Sequence, residues 1–296
     1  MTLIALASVK GSPGVTTAAT ALAASWPEGR RVLLVEADPF GGDLAPRYAM
    51  APTGGLSSLF AAARRTLQPE DVWDHVDHLP GGLPVLFGLG GMHQAVANEK
   101  AWPIVDDVLG ALDADVVIDV GRLLPNLGGG VREVLARADA LVVLCPSTLE
   151  AIVHLREALP SLAAELRGRS LFVVPTGAPQ FSAADIGRTL AVEMLAPAPD
   201  DPGAAAALAN RRSVKRLERA RLLRWAADTL GVLGIEAVPP VETEVLLDPE
   251  EPTDAHPNAT TAADPADMHQ PDQSLDRPTP GGQLAGAAST TMGEAV

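Results

Sequence analysis

Only one of the 296 residues, Cys145, is a cysteine, and aromatic residues make up 3% of the chain. A single thiol excludes a disulfide framework and any zinc site built from cysteines alone, and it fits a reducing compartment. So few aromatic rings argue against a base-stacking platform or a carbohydrate cleft. Lysine is scarce too: Lys10, Lys100 and Lys215 are the three among 22 basic residues, so a lysine in a loop stands out. No run approaches the roughly 18 apolar residues that read as a membrane span. Residues 1–9 are apolar, but Lys10 and a glycine turn follow at once, which leaves no apolar core of a secretory signal. The expectation is a soluble, cytoplasmic chain.

Apolar residues are plentiful at 47%, against 20% charged, so material for a large core is present. The net charge of −15 is unevenly placed. From Pro239 to Val296 eleven acidic residues stand against one basic residue, Arg277, and nine of the 26 prolines fall in the same stretch. Beyond Leu247 no apolar periodicity remains, and such a segment cannot bury enough surface to offset its ordering entropy. Residues 239–296 are therefore expected to be an acidic, Pro-rich disordered tail, and residues 1–238 a folded domain.

Within that domain short apolar runs alternate with helix-compatible stretches. Thr2–Val9, Arg31–Glu36, Leu83–Leu89, Asp115–Val120, Ala140–Cys145 and Leu171–Thr176 read as strands, several of them continuous and β-branched, as strands covered on both faces are. Thr16–Trp26, Leu56–Arg65, Pro103–Leu112, Val131–Ala138, Leu149–Leu166 and Ala183–Glu193 read as helices. The alternation predicts an α/β fold: a doubly wound, mostly parallel sheet with helices on both faces and its ligand at the carboxyl ends of the strands.

The first such end carries Lys10-Gly11-Ser12-Pro13-Gly14-Val15-Thr16-Thr17, followed by an alanine-rich helix. Two glycines and a small serine let the backbone wrap an anion at a helix start. The general phosphate-loop signature ends in Gly, Lys and Ser or Thr, the lysine reaching the outer phosphates and the hydroxyl binding Mg²⁺. Thr16 is in place, but Val15 stands where the lysine belongs.

With its early lysine, KGSPGVTT resembles the deviant Walker A motif of the ParA/MinD family of partitioning and positioning ATPases. Val32-Leu33-Leu34-Val35-Glu36-Ala37-Asp38-Pro39 resembles the family's second-strand signature, and Phe40-Gly41-Gly42-Asp43-Leu44 is closer to its pilus-associated TadZ/CpaE-like branch. Asp115-Val116-Val117-Ile118-Asp119 resembles the Walker B strand, although Val120-Gly121-Arg122 follows where the family continues with Thr and Pro. Asp139 before the next strand and Asp201-Pro202 before a helix also match.

The resemblance covers about residues 1–235 and implies a P-loop NTPase fold. It implies ATP held by Lys10, Gly11, Ser12, Gly14, Val15, Thr16 and Thr17, and Mg²⁺ held by Thr16, Asp38 and Asp119. Catalytic roles would fall to Lys10, Glu36 and Asp38, with Lys10 crossing to the nucleotide of a second protomer and the paired acids orienting water. Singly, Glu36, Asp38 and Asp119 can each be a turn former or loop cap. Three acids at three strand ends beside a helix-opening glycine turn are a less accidental set.

Replacing the loop lysine by valine removes a charge-assisted contact where charge builds in phosphoryl transfer, on the order of 10²–10³ in rate. Lys10 or Arg122 is a candidate substitute cation. The implied work is chromosome or plasmid partitioning, division-site placement or pilus-assembly positioning, through a nucleotide-dependent homodimer, an activator or cargo protein, and slow hydrolysis. The alternative is a pseudo-ATPase scaffold with no turnover.

Seven cations, Arg211, Arg212, Lys215, Arg216, Arg219, Arg221 and Arg224, lie within 14 residues. Val214, Leu217, Ala220, Leu223, Ala227 and Leu230 recur at helical spacing and predict one amphipathic helix with a basic face. That face can be a solvated exterior, a nonspecific DNA surface or, less readily, a membrane surface. Asp74, His75, Asp77 and His78 lack the spacing of a known metal site and read as a polar loop. Cys145 reads as a small buried hydrophobe, and His93 and His154 as structural.

Overall fold

The computed structural model describes residues 1–123, 129–211 and 215–237; the expected acidic tail and Arg212 lie outside the described residues. β1 (Leu3–Ser8) leads into α1 (Val15–Ala24), β2 (Val32–Glu36), α2 (Leu44–Arg47), α3 (Leu56–Ala63), β3 (Asp77–His78) and β4 (Pro84–Leu86). Next come α4 (Met92–Asn98), α5 (Trp102–Leu109), β5 (Asp115–Arg122), α6 (Gly129–Arg137), β6 (Ala140–Pro146) and α7 (Leu149–Leu166). β7 (Ser170–Thr176), α8 (Ala183–Leu190), β8 (Glu193–Met194), α9 (Pro202–Leu208) and α10 (Arg221–Val232) follow.

The sheet runs β3-β4-β2-β5-β1-β6-β7-β8. Every pair is parallel except the β3–β4 hairpin. From β1 the chain first builds outward through β2 and β4, then slots β5 between β2 and β1, and then extends the other side through β6 and β7. That reversal opens a crevice at the carboxyl end of β1.

Both faces of the sheet are covered, which is why β1, β2 and most of β5 and β6 are uninterrupted apolar runs. On one face Ile4, Leu6, Leu34, Val117 and Val142 pack against α1, α9 and α10. On the other, Ala5, Val35, Ile118 and Val143 meet α3 and α5 through α8. The alanines of α1 let it lie close on β1, β2 and β5, where Ala19, Ala21 and Leu22 are fully buried.

Two expectations need correction. The helix expected to run to Glu193 stops at Leu190, because Ala191 turns left-handed (φ 53°) and Glu193–Met194 joins the sheet edge as β8. α4 and the two short strands carry too few periodic apolar residues to read from sequence; none of the residues of α4 is buried.

The basic segment is not one helix. α9 ends at Leu208, Asn210 and Arg216 are left-handed, Leu217–Arg219 make a 3₁₀ turn, and Ala220 is extended before α10 begins. Asp201 is the cause: one carboxylate oxygen accepts the Ala204 amide (3.1 Å) and the other the Leu222 amide (3.3 Å). Both helix starts are pinned to one side chain, so the chain between them must double back. Arg211, Lys215, Arg216 and Arg219 therefore sit exposed on a loop, and only Arg221 and Arg224 ride on α10.

At the opposite edge Asp115, the first residue of β5, is 4% exposed. Its carboxylate accepts two bonds from Arg30 (2.7 and 2.8 Å), one from the Trp26 indole (3.0 Å) and one from the Thr2 amide (2.7 Å). Burial pushes its pKa up, but the bonds from Arg30, Trp26 and Thr2 outweigh this and hold it below the ordinary carboxylate value. Its stabilisation is thus present above the ordinary carboxylate pKa and lost as pH falls through the lowered one. Asp115→Ala is expected to destabilise the domain by about 3 kcal/mol in urea unfolding at neutral pH, with the gap to wild type closing in acid.

Candidate functional site

β1 ends at buried Ser8, and the chain then leaves the sheet through exposed Lys10, Gly11 and Ser12. Gly14 opens α1 in the left-handed region (φ 96°), a conformation that costs an L side chain roughly 1 kcal/mol or more. This turn points the first amides of α1 back toward the strand ends. No side chain caps them, and the first helical bond, from the Ala18 amide to the Gly14 carbonyl (2.9 Å), comes only after them. Uncapped amides at a helix start are an anion site in waiting. Val15 turns the other way: it is 6% exposed and packed in the apolar layer with Ala18 and Ala19. The position thus contributes backbone to the loop and no charge.

The three carboxylates converge beside that loop. β2 and β5 lie in register, so Glu36 pairs with Asp119. Asp119 is 2% exposed, has the Thr16 hydroxyl beside its carboxylate, and accepts the Gly121 amide at 2.9 Å. Burial pushes its pKa up to about 7, the Thr16 and Gly121 bonds pull against that, and the charges of Glu36 and Asp38 add to the rise. Asp38 sits one turn further out, with its carboxylate directly over Gly121 and an oxygen accepting the Phe40 amide (2.8 Å). Gly121 has φ +66°, and a Cβ there would run into the Asp38 carboxylate, so only glycine fits. Burial raises the Asp38 pKa, and the nearby Arg122 charge lowers it.

Glu36 behaves differently from the other two. One oxygen accepts the Asp43 (2.8 Å) and Leu44 (2.9 Å) amides, and the other the Gly88 amide (3.2 Å). Burial dominates its raised pKa. These bonds let Glu36 hold the start of α2 and the loop after β4 against the end of β2.

Beside Gly14 and Thr17 a cleft of about 210 Å³ opens toward Leu144, Thr176, Gly177 and the Ala198–Pro202 segment. Asp201 was readable from sequence as a helix-opening residue; Thr176 and Gly177 were not singled out, although both follow a strand end, where ligands collect. Elsewhere, Cys145 is buried with its pKa pushed up to about 11 by burial, as a small hydrophobe should be. His93 and His154, expected to be structural, are exposed. His75 bonds Ser58 (2.8 Å), and among the described residues no cluster of His, Cys, Asp and Glu is arranged to hold a metal ion by itself. No described helix is long and apolar enough to cross a membrane.

No protein-family model and no curated protein sequence matches the chain. Solved structures do. A ParA family ATPase from Chlorobium tepidum superposes with a TM-score of 0.62 at 18% identity, over 77% of this chain and 98% of that one. The septum site-determining protein MinD of Pyrococcus horikoshii, complexed with Mg-ADP, gives 0.62 at 16% identity, over 80% and 98%. An ATP complex of Cyanothece McdA gives 0.59 at 17%, over 80% and 98%. The fold is the ParA/MinD-like P-loop fold.

Because the folded Asp119 holds its proton to about pH 7 and an unfolded aspartate does not, stability falls as pH rises from the ordinary carboxylate range toward 7. Asp119→Asn should therefore melt close to wild type near pH 5 and above it near pH 8, in thermal melts without added nucleotide or metal.

Proposed function

We propose that this chain is a ParA/MinD-like nucleotide-binding protein of cytoplasmic spatial organisation, working as a weak, slow ATPase. The observation that supports this best is the placement of the Thr16 hydroxyl, on the first turn of α1, beside the buried Asp119 carboxylate at the end of β5. A helix-start hydroxyl and a strand-end carboxylate, two oxygen donors beside uncapped amides, suit a hard divalent cation bound together with a triphosphate. Three crowded carboxylates with raised pKa values add a reason: a cation relieves the repulsion that burial imposes.

In this reading Gly11, Ser12, Gly14, Val15, Thr16 and Thr17 cradle the phosphates with backbone amides, and the side cleft takes the base. Thr16 and Asp119 would hold Mg²⁺, which would neutralise phosphate charge, and Asp38 would steer water. Lys10, exposed at the mouth, reaches the nucleotide of a second copy, so the active state is a homodimer. Loss of the lysine charge at Val15 keeps turnover low. The neighbours described as partition, septum-site and division proteins support positioning of chromosome, plasmid, division site or pilus assembly, with an activator or cargo protein still to be found. Arg211, Lys215, Arg216, Arg219, Arg221 and Arg224 are all exposed, and no ion pair engages them among the described residues. They favour nonspecific contact with DNA phosphates over a membrane, and retention on DNA that salt leaves unchanged would remove that reading.

Mg-ATP titration of the full chain should show saturable binding that Thr16→Ala or Asp119→Ala weakens at least about tenfold. Val15→Lys should raise affinity or turnover. No binding at millimolar Mg-ATP, together with an oligomeric state indifferent to it, would leave the pseudo-ATPase scaffold.

A further inference from the structure

The loop lysine is absent, yet the loop is otherwise built, which raises the question of where a compensating charge sits. β5 supplies one. Its pairing with β1 slips by one residue after Leu6: Leu6 lies opposite Asp119, but Ala7 lies opposite Gly121, leaving Val120 as a bulge. The slip carries the strand past its carboxylate by three residues, so that Ser8 pairs with Arg122, and the Leu123 amide closes the ladder on the Ser8 carbonyl at 2.8 Å. Arg122 is thereby fixed on the last rung before the Lys10–Gly14 loop leaves β1. Bulges that re-aim a side chain are common beside active sites.

What surrounds Arg122 matters as much as its position. The residue is exposed, and its guanidinium lies 5.5 Å from the Phe40 ring centroid. Phe40 is itself anchored through its amide to Asp38, whose carboxylate covers Gly121. Asp38 senses the Arg122 charge, but no carboxylate closes an ion pair with it among the described residues. Other arginines are committed: Arg47 to Asp43, Arg30 to Asp115, Arg137 to Asp106. Arg122 is thus a planar, permanently charged fork parked on an aromatic face beside the strand-end acids, a group suited to bidentate contact with phosphate oxygens.

We propose that Arg122 supplies, from the end of β5, the positive charge toward the outermost phosphate that Val15 cannot supply from the start of α1, so that it sets the preference for nucleoside triphosphate over diphosphate. This rests on the reading of the loop as a nucleotide site. Phe40 holds the guanidinium in place until the phosphate takes it, and Asp38 keeps it from swinging away from the strand end. The residue faces a group that only the triphosphate has, so its removal separates the two ligands, whereas general damage to the loop does not.

The test uses the full chain and calorimetric titration with Mg-ATP and Mg-ADP for wild type, Arg122→Ala, Arg122→Lys and Thr16→Ala. Arg122→Ala should lose about 10–100-fold in affinity for Mg-ATP and less than about threefold for Mg-ADP, with an unchanged melting temperature. Arg122→Lys should fall between, since it keeps the charge and loses the fork. Thr16→Ala should weaken both ligands. Equal affinities of Arg122→Ala and wild type, or equal losses for both nucleotides, would overturn the role of Arg122 while leaving the site intact. Wild type that binds neither nucleotide overturns the nucleotide site itself, and Arg122 with it.

Discussion

Everything at the carboxyl edge of this sheet depends on accommodating a carboxyl group where the apolar core ends. Asp119 is sealed between β1 and β2, and what makes its burial tolerable is a hydroxyl from the next layer, Thr16, and an amide from its own strand, Gly121. Those two donors also fix the relation between the first helix and the fifth strand. The loop between β1 and α1 is then fixed at its α1 end, by the left-handed turn at Gly14 and by Thr16 seated beside Asp119. Glu36 and Asp38 inherit their positions from the same register, Glu36 directly opposite Asp119 and Asp38 just beyond, over Gly121.

The acids divide their labour by what their oxygens touch. Glu36 takes three amides, two on one oxygen and one on the other, and it organises backbone. Asp38 has one backbone partner and one charged neighbour, and it faces outward. Asp119 is as deeply buried as Glu36, and burial pushes its pKa up to about 7. Similar side chains at neighbouring strand ends thus meet different partners, with environment and not residue type as the deciding factor.

Much of this was legible in the chain. Strands such as DVVID and LVVLC announce themselves because a strand buried on both faces can be apolar at every position, and α7 runs over the expected residues because eighteen positions give periodicity room to show. Asp119 and the glycine turn were readable because ligands gather just after strands. The amides that Glu36 meets were not, since a carboxylate at a strand end looks the same whether it binds water or three amides. The basic stretch misled for a similar reason: Leu217, Ala220 and Leu223 keep helical spacing, but a carboxylate far earlier in the chain fixes where the helix can begin. The stacking of Arg122 on Phe40 joins two loops remote in sequence, and no local pattern encodes such a meeting.

That earlier carboxylate has a mechanical corollary. Asp201 lines the cleft beside Gly14 and at the same time tethers the first turn of α9 and the first turn of α10. The exposed Arg211, Lys215, Arg216 and Arg219 thus lie between two posts driven into a single footing. Whatever shifts that footing by an ångström tilts both posts together, and the positive charge on the outside of the molecule moves with the wall of the cleft.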